Sequence, residues 1–197
     1  MNYVLILGVD AGYKPIPKIL IERGNLLRDA ESVIDIGAGR GRFLKWFLLN
    51  TNVKRYVAVE PCTKFVKSLE VIVKKYGDGR DVEIVKKPWQ EVRNFYMNEE
   101  FDVVILWDVL MFMDLRYVHG TDDFLDAVIK EVPIFSKMCR RFLLLSFHPI
   151  KKGIPELSNK EAFNKILREF VKNGFEVLDR RFLNYILVKT DGNQQRR

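Results

Sequence analysis

Three glycines at alternate positions follow an acid in the run Asp35-Ile36-Gly37-Ala38-Gly39-Arg40-Gly41. Glycine lets the backbone turn sharply and lets a ligand approach with no Cβ in the way. An apolar run, Ser32 to Ile36, precedes the glycines, and a helical pattern follows them. In that strand–loop–helix context a glycine loop cradles a nucleotide. A dinucleotide loop of the Gly-x-Gly-x-x-Gly form needs glycine at position 42, where Arg42 stands. The observed Gly-x-Gly-x-Gly is a different signature. Glu60 lies 19 residues after Gly41, at the end of the next apolar run. A carboxylate there is placed to accept both hydroxyl protons of a ribose; the plainer alternative is a solvated surface acid. Pro61 stiffens the turn that follows.

The elements that must position these residues alternate along the chain. Ser32 to Ile36 reads as a first buried strand, and Gly41 to Leu49 as a helix with Phe43, Leu44, Phe47 and Leu48 at helical spacing. Arg55 to Val59 is a second strand. Lys64 to Tyr76 is a helix with Phe65, Leu69, Ile72 and Val73 on one face. Val82 to Val85 and Phe101 to Leu106 are strands three and four, the fourth apolar on both faces as a buried parallel strand should be. Asp122 to Cys139 is a long helix, capped by Thr121 or Asp122, that Pro133 kinks or divides. Arg141 to Phe147 is strand five. Ser158, with Glu161 three residues on, caps a helix that runs to Asn173 and ends at Gly174. Phe175 to Asp179 and Tyr185 to Lys189 then pair as an antiparallel hairpin.

This order predicts an α/β fold: a doubly wound, mostly parallel seven-stranded sheet with a C-terminal antiparallel hairpin and helices on both faces. Right-handed crossovers bring every strand-to-helix loop to one edge, where ligands bind. We expect a single domain over residues 1–190, with residues 1–29 as a cover segment, 30–190 as the core and 191–197 as a frayed tail. Within the cover segment Lys18 to Arg28 reads as a helix packing through Ile19, Leu20, Leu26 and Leu27, weakened at Gly24. Tyr13 is in reach of the site if that segment folds over it.

On these residues the chain resembles the class I S-adenosylmethionine-dependent methyltransferases over about residues 30 to 190. The loop Asp35 to Gly41 is similar to the family's first motif, and Glu60 to its ribose-binding acid. Lys87-Pro88-Trp89-Gln90-Glu91 resembles the segment bordering the adenine, without the aspartate that often meets the exocyclic amine; a backbone carbonyl or Gln90 stands in for it. Phe101 to Leu110 resembles the fourth motif, whose end lies near the methionine part of the cofactor. It lacks the Asn/Asp-Pro-Pro-Tyr/Phe run of enzymes that methylate amide or base nitrogens. The resemblance implies S-adenosylmethionine as cofactor, with Asp35, Gly37, Ala38, Gly39, Gly41, Glu60, Pro61, Pro88, Trp89, Trp107 and Asp108 as its binding residues.

Methyl transfer needs an aligned acceptor and a dry site, and a general base only where the acceptor holds a proton. The candidates for that base are His148, after strand five, and Asp108, at the end of strand four. Their alternatives are a loop histidine before Pro149 and a turn-capping acid. Trp89 and Trp107 either stack on the adenine, line the acceptor site or pack in the core. His119 reads as an ordinary loop residue, and Cys62 as a packed thiol.

Composition narrows the function classes. Hydrophobic residues form 48% of the 197-residue chain and charged residues 30%, which excludes a disordered polymer or a fibrous repeat. Two cysteines and two histidines cannot build a disulfide scaffold or a four-cysteine zinc site, so no metal is expected. No apolar run reaches the roughly 20 residues of a membrane span, and no signal peptide is legible, so a cytoplasmic protein is expected. The formal net charge of +7 favours anionic partners. Lys86, Lys87, Lys151, Lys152, Arg180 and Arg181 all follow strands and so belong to the ligand edge, a basic rim suited to an anionic small molecule or RNA. Two rivals to the enzyme remain. One is a non-catalytic S-adenosylmethionine-binding protein that recruits RNA or protein. The other is a nicotinamide-dependent oxidoreductase, disfavoured by Arg42 and by a Tyr-x-x-x-Lys pair that we read as missing.

Overall fold

The structure, a computed structural model, describes residues 16–110, 121–146, 160–181 and 184–190. Its seven strands form one mixed sheet in the order β3-β2-β1-β4-β5-β7-β6, in agreement with the expected fold class. The chain divides into two compact units, Met1–Trp89 and Gln90–Arg197.

The first unit opens with α1 (Lys18–Arg23), which buries Ile19 and Leu20 and gives way to a 3-10 turn over Gly24–Leu27. The expected single helix to Arg28 therefore breaks at Gly24, a poor helix former. A Cβ on Gly24 would lie 2.6 Å from Cζ2 of Trp46. Leu27 rather than Leu26 is the fully buried residue after the break.

Strands β1 (Ser32–Ile36), β2 (Arg55–Val59) and β3 (Asp81–Val85) run parallel, with Ile36 opposite Val59 and Val59 opposite Val85. The first two are buried at four of five positions; β3, at the sheet's edge, has no fully buried residue. Helix α2 (Arg42–Asn50) buries the expected Phe43, Leu44, Phe47 and Leu48. Helix α3 (Thr63–Tyr76) buries Val66, Leu69 and Ile72. Its apolar face is thus turned from the expected one. Phe65 is only half-buried, with the guanidinium of Arg40 5.3 Å from its ring centroid.

Helix α4 (Trp89–Tyr96) leads into the second unit, whose strand β4 (Phe101–Trp107) is buried at all seven positions. Helix α5 (Thr121–Met138) continues through Pro133, so the proline does not divide it. Buried Val128, Val132, Phe135 and Met138 lie on both sides of the proline at helical spacing and hold the two halves to one core, while Pro133 itself is exposed. Strand β5 (Cys139–Ser146) pairs parallel with β4 and antiparallel with β7 (Asn184–Lys189). Helix α6 (Lys160–Lys172) ends at Gly174, whose φ of +85° suits its expected terminal role. Ser158, its expected cap, lies outside the described residues. Strand β6 (Phe175–Arg181) completes the antiparallel hairpin with β7. Arg180 and Arg181 are therefore the last residues of β6 and do not follow it, because pairing with Tyr185 and Asn184 extends the strand. Arg140, expected ahead of a strand, lies in β5 and donates from Nη2 to Asp102 at 2.6 Å.

Candidate cofactor site

The loop between β1 and α2 is built on left-handed backbone. Gly37, Gly39 and Gly41 have φ of 76°, 57° and 80°, values that a residue with a Cβ adopts only under strain. The start of the loop is sewn to β2, since the N–H groups of Gly37 and Ala38 both donate to Val59 O at 2.8 and 3.1 Å. At Gly41 close packing adds a second requirement: a Cβ would sit 2.7 Å from Leu69 Cδ2 and 2.8 Å from Ile72 Cδ1. At Gly39 a Cβ would meet nothing nearer than Gly37 O at 3.9 Å, so the backbone there borders open space. Helix α2 starts directly from Gly41 with no side-chain cap, so its N-terminal partial positive charge faces the loop.

Glu60 is no solvated acid: it is 5% exposed. Its Oε2 accepts the N–H of Gly39 and its Oε1 the N–H of Cys62, each at 2.8 Å. Its own N–H donates to Val85 O. Burial raises its pKa, and the two backbone donors oppose the rise. Each carboxylate oxygen so held has lone-pair capacity for one further donor, and a vicinal diol supplies two. Asp35 is buried on β1, and the hydroxyl of Tyr56 donates to its Oδ2 at 2.8 Å. Burial pushes its carboxyl up to about 7; Tyr56 and the charge of Arg42 moderate the shift. Cys62 is buried, in keeping with a packed thiol. Pro61 and Pro88 are half-buried, and Trp89 is buried as the first residue of α4.

In the second unit Trp107 ends β4 and is buried. Asp108 follows with φ 55°, the positive-φ residue other than glycine among those described. Ser146, which sequence reasoning missed, holds it, and Asn184 shares the Ser146 hydroxyl. Ser146 Oγ lies 2.7 Å from Asp108 Oδ1 and 2.8 Å from Asn184 Oδ1, its single proton serving one of them at a time. The backbone N–H of Asp108 donates to Ser146 O at 3.3 Å. Ser146 breaks the apolar run Leu143 to Leu145, the one sequence signal that marks it. Tyr13, His119, His148, Lys151 and Lys152 lie outside the described residues. Lys86 and Lys87 are exposed after β3, with Lys86 Nζ 2.8 Å from Glu70, and Arg180 and Arg181 are exposed on β6. A Tyr-x-x-x-Lys spacing does exist, at Tyr185 and Lys189. It lies in β7, where Lys189 Nζ donates to the carbonyls of Ser136 and Asn173.

The profile of the FtsJ-like methyltransferase family matches residues 17–182. The chain belongs to that family. This bears out the resemblance read from the glycine loop: the protein is a methyltransferase with S-adenosylmethionine as methyl donor. A search of curated proteins returned no match. Solved structures agree on the fold. A proposed rRNA-methylase from Clostridium thermocellum superposes with a TM-score of 0.62 at 12% identity, over 90% of this chain and 100% of that one. Magnesium protoporphyrin IX methyltransferase from Synechocystis PCC 6803, with bound S-adenosylmethionine, gives 0.56 at 21% identity, over 87% and 74%. A Pyrococcus furiosus methyltransferase gives 0.54 at 16% identity, over 95% and 92%. Among the described residues of this FtsJ-like methyltransferase, no helix is long and apolar enough to cross a membrane.

Proposed function

We propose that residues 1–190 of this methyltransferase act as one catalytic domain that moves the methyl group of S-adenosylmethionine to an anionic acceptor, a small molecule or RNA, in the cytoplasm. The observation that carries the cofactor's placement is the carboxylate of Glu60, buried and pinned through Gly39 and Cys62. In this reading Glu60 takes the two ribose hydroxyls, with Pro61 stiffening the turn beside it. Gly37, Ala38, Gly39 and Gly41 give the backbone its close approach, and Asp35 supports the loop from below. Pro88 and Trp89 border the adenine; Trp107 and Asp108 border the methionine part.

The cofactor supplies an activated methyl on a sulfonium, so the chain's task is to bind, orient and exclude water. Where the acceptor carries a proton at neutral pH, Asp108 or His148 receives it. Asp108 is restrained for such work by the Ser146 hydroxyl and by its own left-handed backbone. The RNA arm of the acceptor class draws support from the chain's +7 charge, from the exposed Lys86, Lys87, Arg180 and Arg181, and from the likeness to the proposed rRNA-methylase.

Calorimetric titration with S-adenosylmethionine and S-adenosylhomocysteine tests the reading. Micromolar binding that falls at least thirtyfold in Glu60→Ala, followed by radiolabelled methyl transfer into an RNA or metabolite fraction, is the expected result. A folded protein that binds neither compound sinks it. Binding without transfer into any fraction moves the protein to the non-catalytic, recruiting class.

A further inference from the structure

A second charged surface lies away from the residues assigned to the cofactor. Lys45 on α2 and Lys75 on α3 place their Nζ atoms 5.6 and 5.2 Å from the centroid of one ring, that of Tyr76. The two ammonium groups therefore stand within about 11 Å of each other, comparable with the Debye length of about 10 Å at 0.1 M salt. Arg80 joins them from the following turn, donating from Nη1 to Tyr76 O and from Nε to Val53 O, each at 3.2 Å. Val53 precedes β2, whereas Glu60 follows it, so Arg80 and the cofactor-binding acid belong to opposite ends of that strand.

These cations are unbalanced. Among the described residues Lys45, Lys75 and Arg80 have no carboxylate partner, in contrast to Lys54 with Glu31 or Lys86 with Glu70. Asp78 is the one acid between Tyr76 and Arg80, and among the described residues it makes no ion pair either. The C-terminal end of α3 accounts for Lys75 and for Arg80, which donates to Tyr76 O, but not for Lys45, which comes from another helix. The Tyr76 ring attracts each ammonium group, and an anion placed between the two would be attracted by both. Tyr76 is half-buried and Lys75 exposed, so an anion can reach the cluster.

We infer that the Tyr76 cluster is a docking surface for a single nucleic-acid strand. Phosphates meet Lys45, Lys75 and Arg80, and a base stacks against the accessible part of the tyrosine ring, the combination that binds single strands without sequence preference. An acidic peptide would use the cations but leave the aromatic ring without a flat partner. This surface is independent of the cofactor site.

The test is fluorescence anisotropy of the full chain with a labelled 20-nucleotide oligouridylate across 50–300 mM salt. Lys45→Glu combined with Lys75→Glu is compared with Lys165→Glu, an exposed lysine on α6, and with Tyr76→Leu. The double variant should bind at least tenfold more weakly at 50 mM salt, and its log–log salt slope should fall by about 1.4, at about 0.7 per phosphate contact. Tyr76→Leu should lose severalfold with an unchanged slope, and Lys165→Glu less than twofold. Wild-type melting temperatures in all variants establish that the fold is intact. The inference is overturned if the double variant matches Lys165→Glu, or if wild type ignores the oligomer. It is also overturned if the same lysines serve phosphatidylserine vesicles alone. Failure to bind S-adenosylhomocysteine would count against the proposed function and leave this surface standing.

Discussion

The phenol of Tyr56 donates to the carboxyl of Asp35 at 2.8 Å, joining β1 to β2 at the foot of the glycine loop. Both side chains are fully buried, and burial sets the character of the pair. It raises the Asp35 carboxyl from 3.8 to about 7 and lifts the Tyr56 phenol well above its usual value.

Asp35 should make the fold pH-dependent in a definite direction. The folded chain keeps the Asp35 proton up to about pH 7, whereas the unfolded chain releases it near 3.8. The stabilising contribution is therefore complete below about pH 4, falls as pH rises, and is lost above about 7. A shift of that size corresponds to about 4 kcal/mol. Asp35→Asn should be the more stable protein at pH 8 and show a flatter profile in urea melts between pH 5 and 8. Glu60, also raised by burial, leaves a residual slope of the same sign. A variant with the slope of wild type would refute this account of Asp35.

Gly41 and Gly39 should fail in different ways. Gly41→Ala combines φ of +80° with close approaches to Leu69 and Ile72 and should cost about 1–3 kcal/mol in urea unfolding. Gly39→Ala meets open space, so its cost to folding should be the strain alone, about 1 kcal/mol. Its methyl group would stand where the proposed ligand approaches the backbone, so cofactor affinity should fall more than tenfold. Equal effects on stability and binding at the two positions would count against the open space at Gly39.

Asp108 depends on its partners and its backbone. Asp108→Asn keeps an oxygen for Ser146 and tolerates φ 55°, so its unfolding midpoint should stay within experimental error of wild type. Asp108→Val, β-branched at positive φ, should lose about 2 kcal/mol. Ser146→Ala leaves the side-chain oxygens of Asp108 and Asn184 without the hydroxyl between them and should cost about 1–3 kcal/mol. A neutral Ser146→Ala would mean that the hydroxyl contributes nothing to holding Asp108.

Lys189 closes two helix ends at once. Its Nζ donates to Ser136 O in the last turn of α5 at 2.9 Å, and to Asn173 O just beyond α6 at 3.0 Å. The ring centroid of Phe175 lies 4.7 Å away. Lys189→Met keeps the length of the side chain and removes the donors, and should lower stability by about 1–3 kcal/mol. Hydrogen exchange should show the faster opening at the C-terminal ends of both helices. Loss confined to β7 would point to strand packing instead.

The glycine loop and the buried acid at the end of β2 were legible in the sequence because local constraints restrict residue type. Positive φ at three alternate positions demands glycine, and a strand end that accepts two backbone N–H groups suits a carboxylate. Strands β1 and β2 have the boundaries expected for them, since each is a short apolar run that ends where the chain must turn. The inward face of α3 was not legible. Phe65 and Val66 both complete a helical stripe with Leu69 and Ile72, and packing buried Val66 while Arg40 came to lie over Phe65.

Spacing and residue type thus determined the fold class, the glycine loop and the acid that follows it. Only tertiary structure joined Ser146 to Asn184, 38 residues apart and opposite each other in the antiparallel register of β5 and β7. Only tertiary structure brought Lys45 to the ring of Tyr76, next to which Lys75 stands by chain order. Backbone sterics and hydrophobic period act over a few residues and are written along the chain. The pairing of distant side chains depends on strand register and helix packing, which no local pattern specifies.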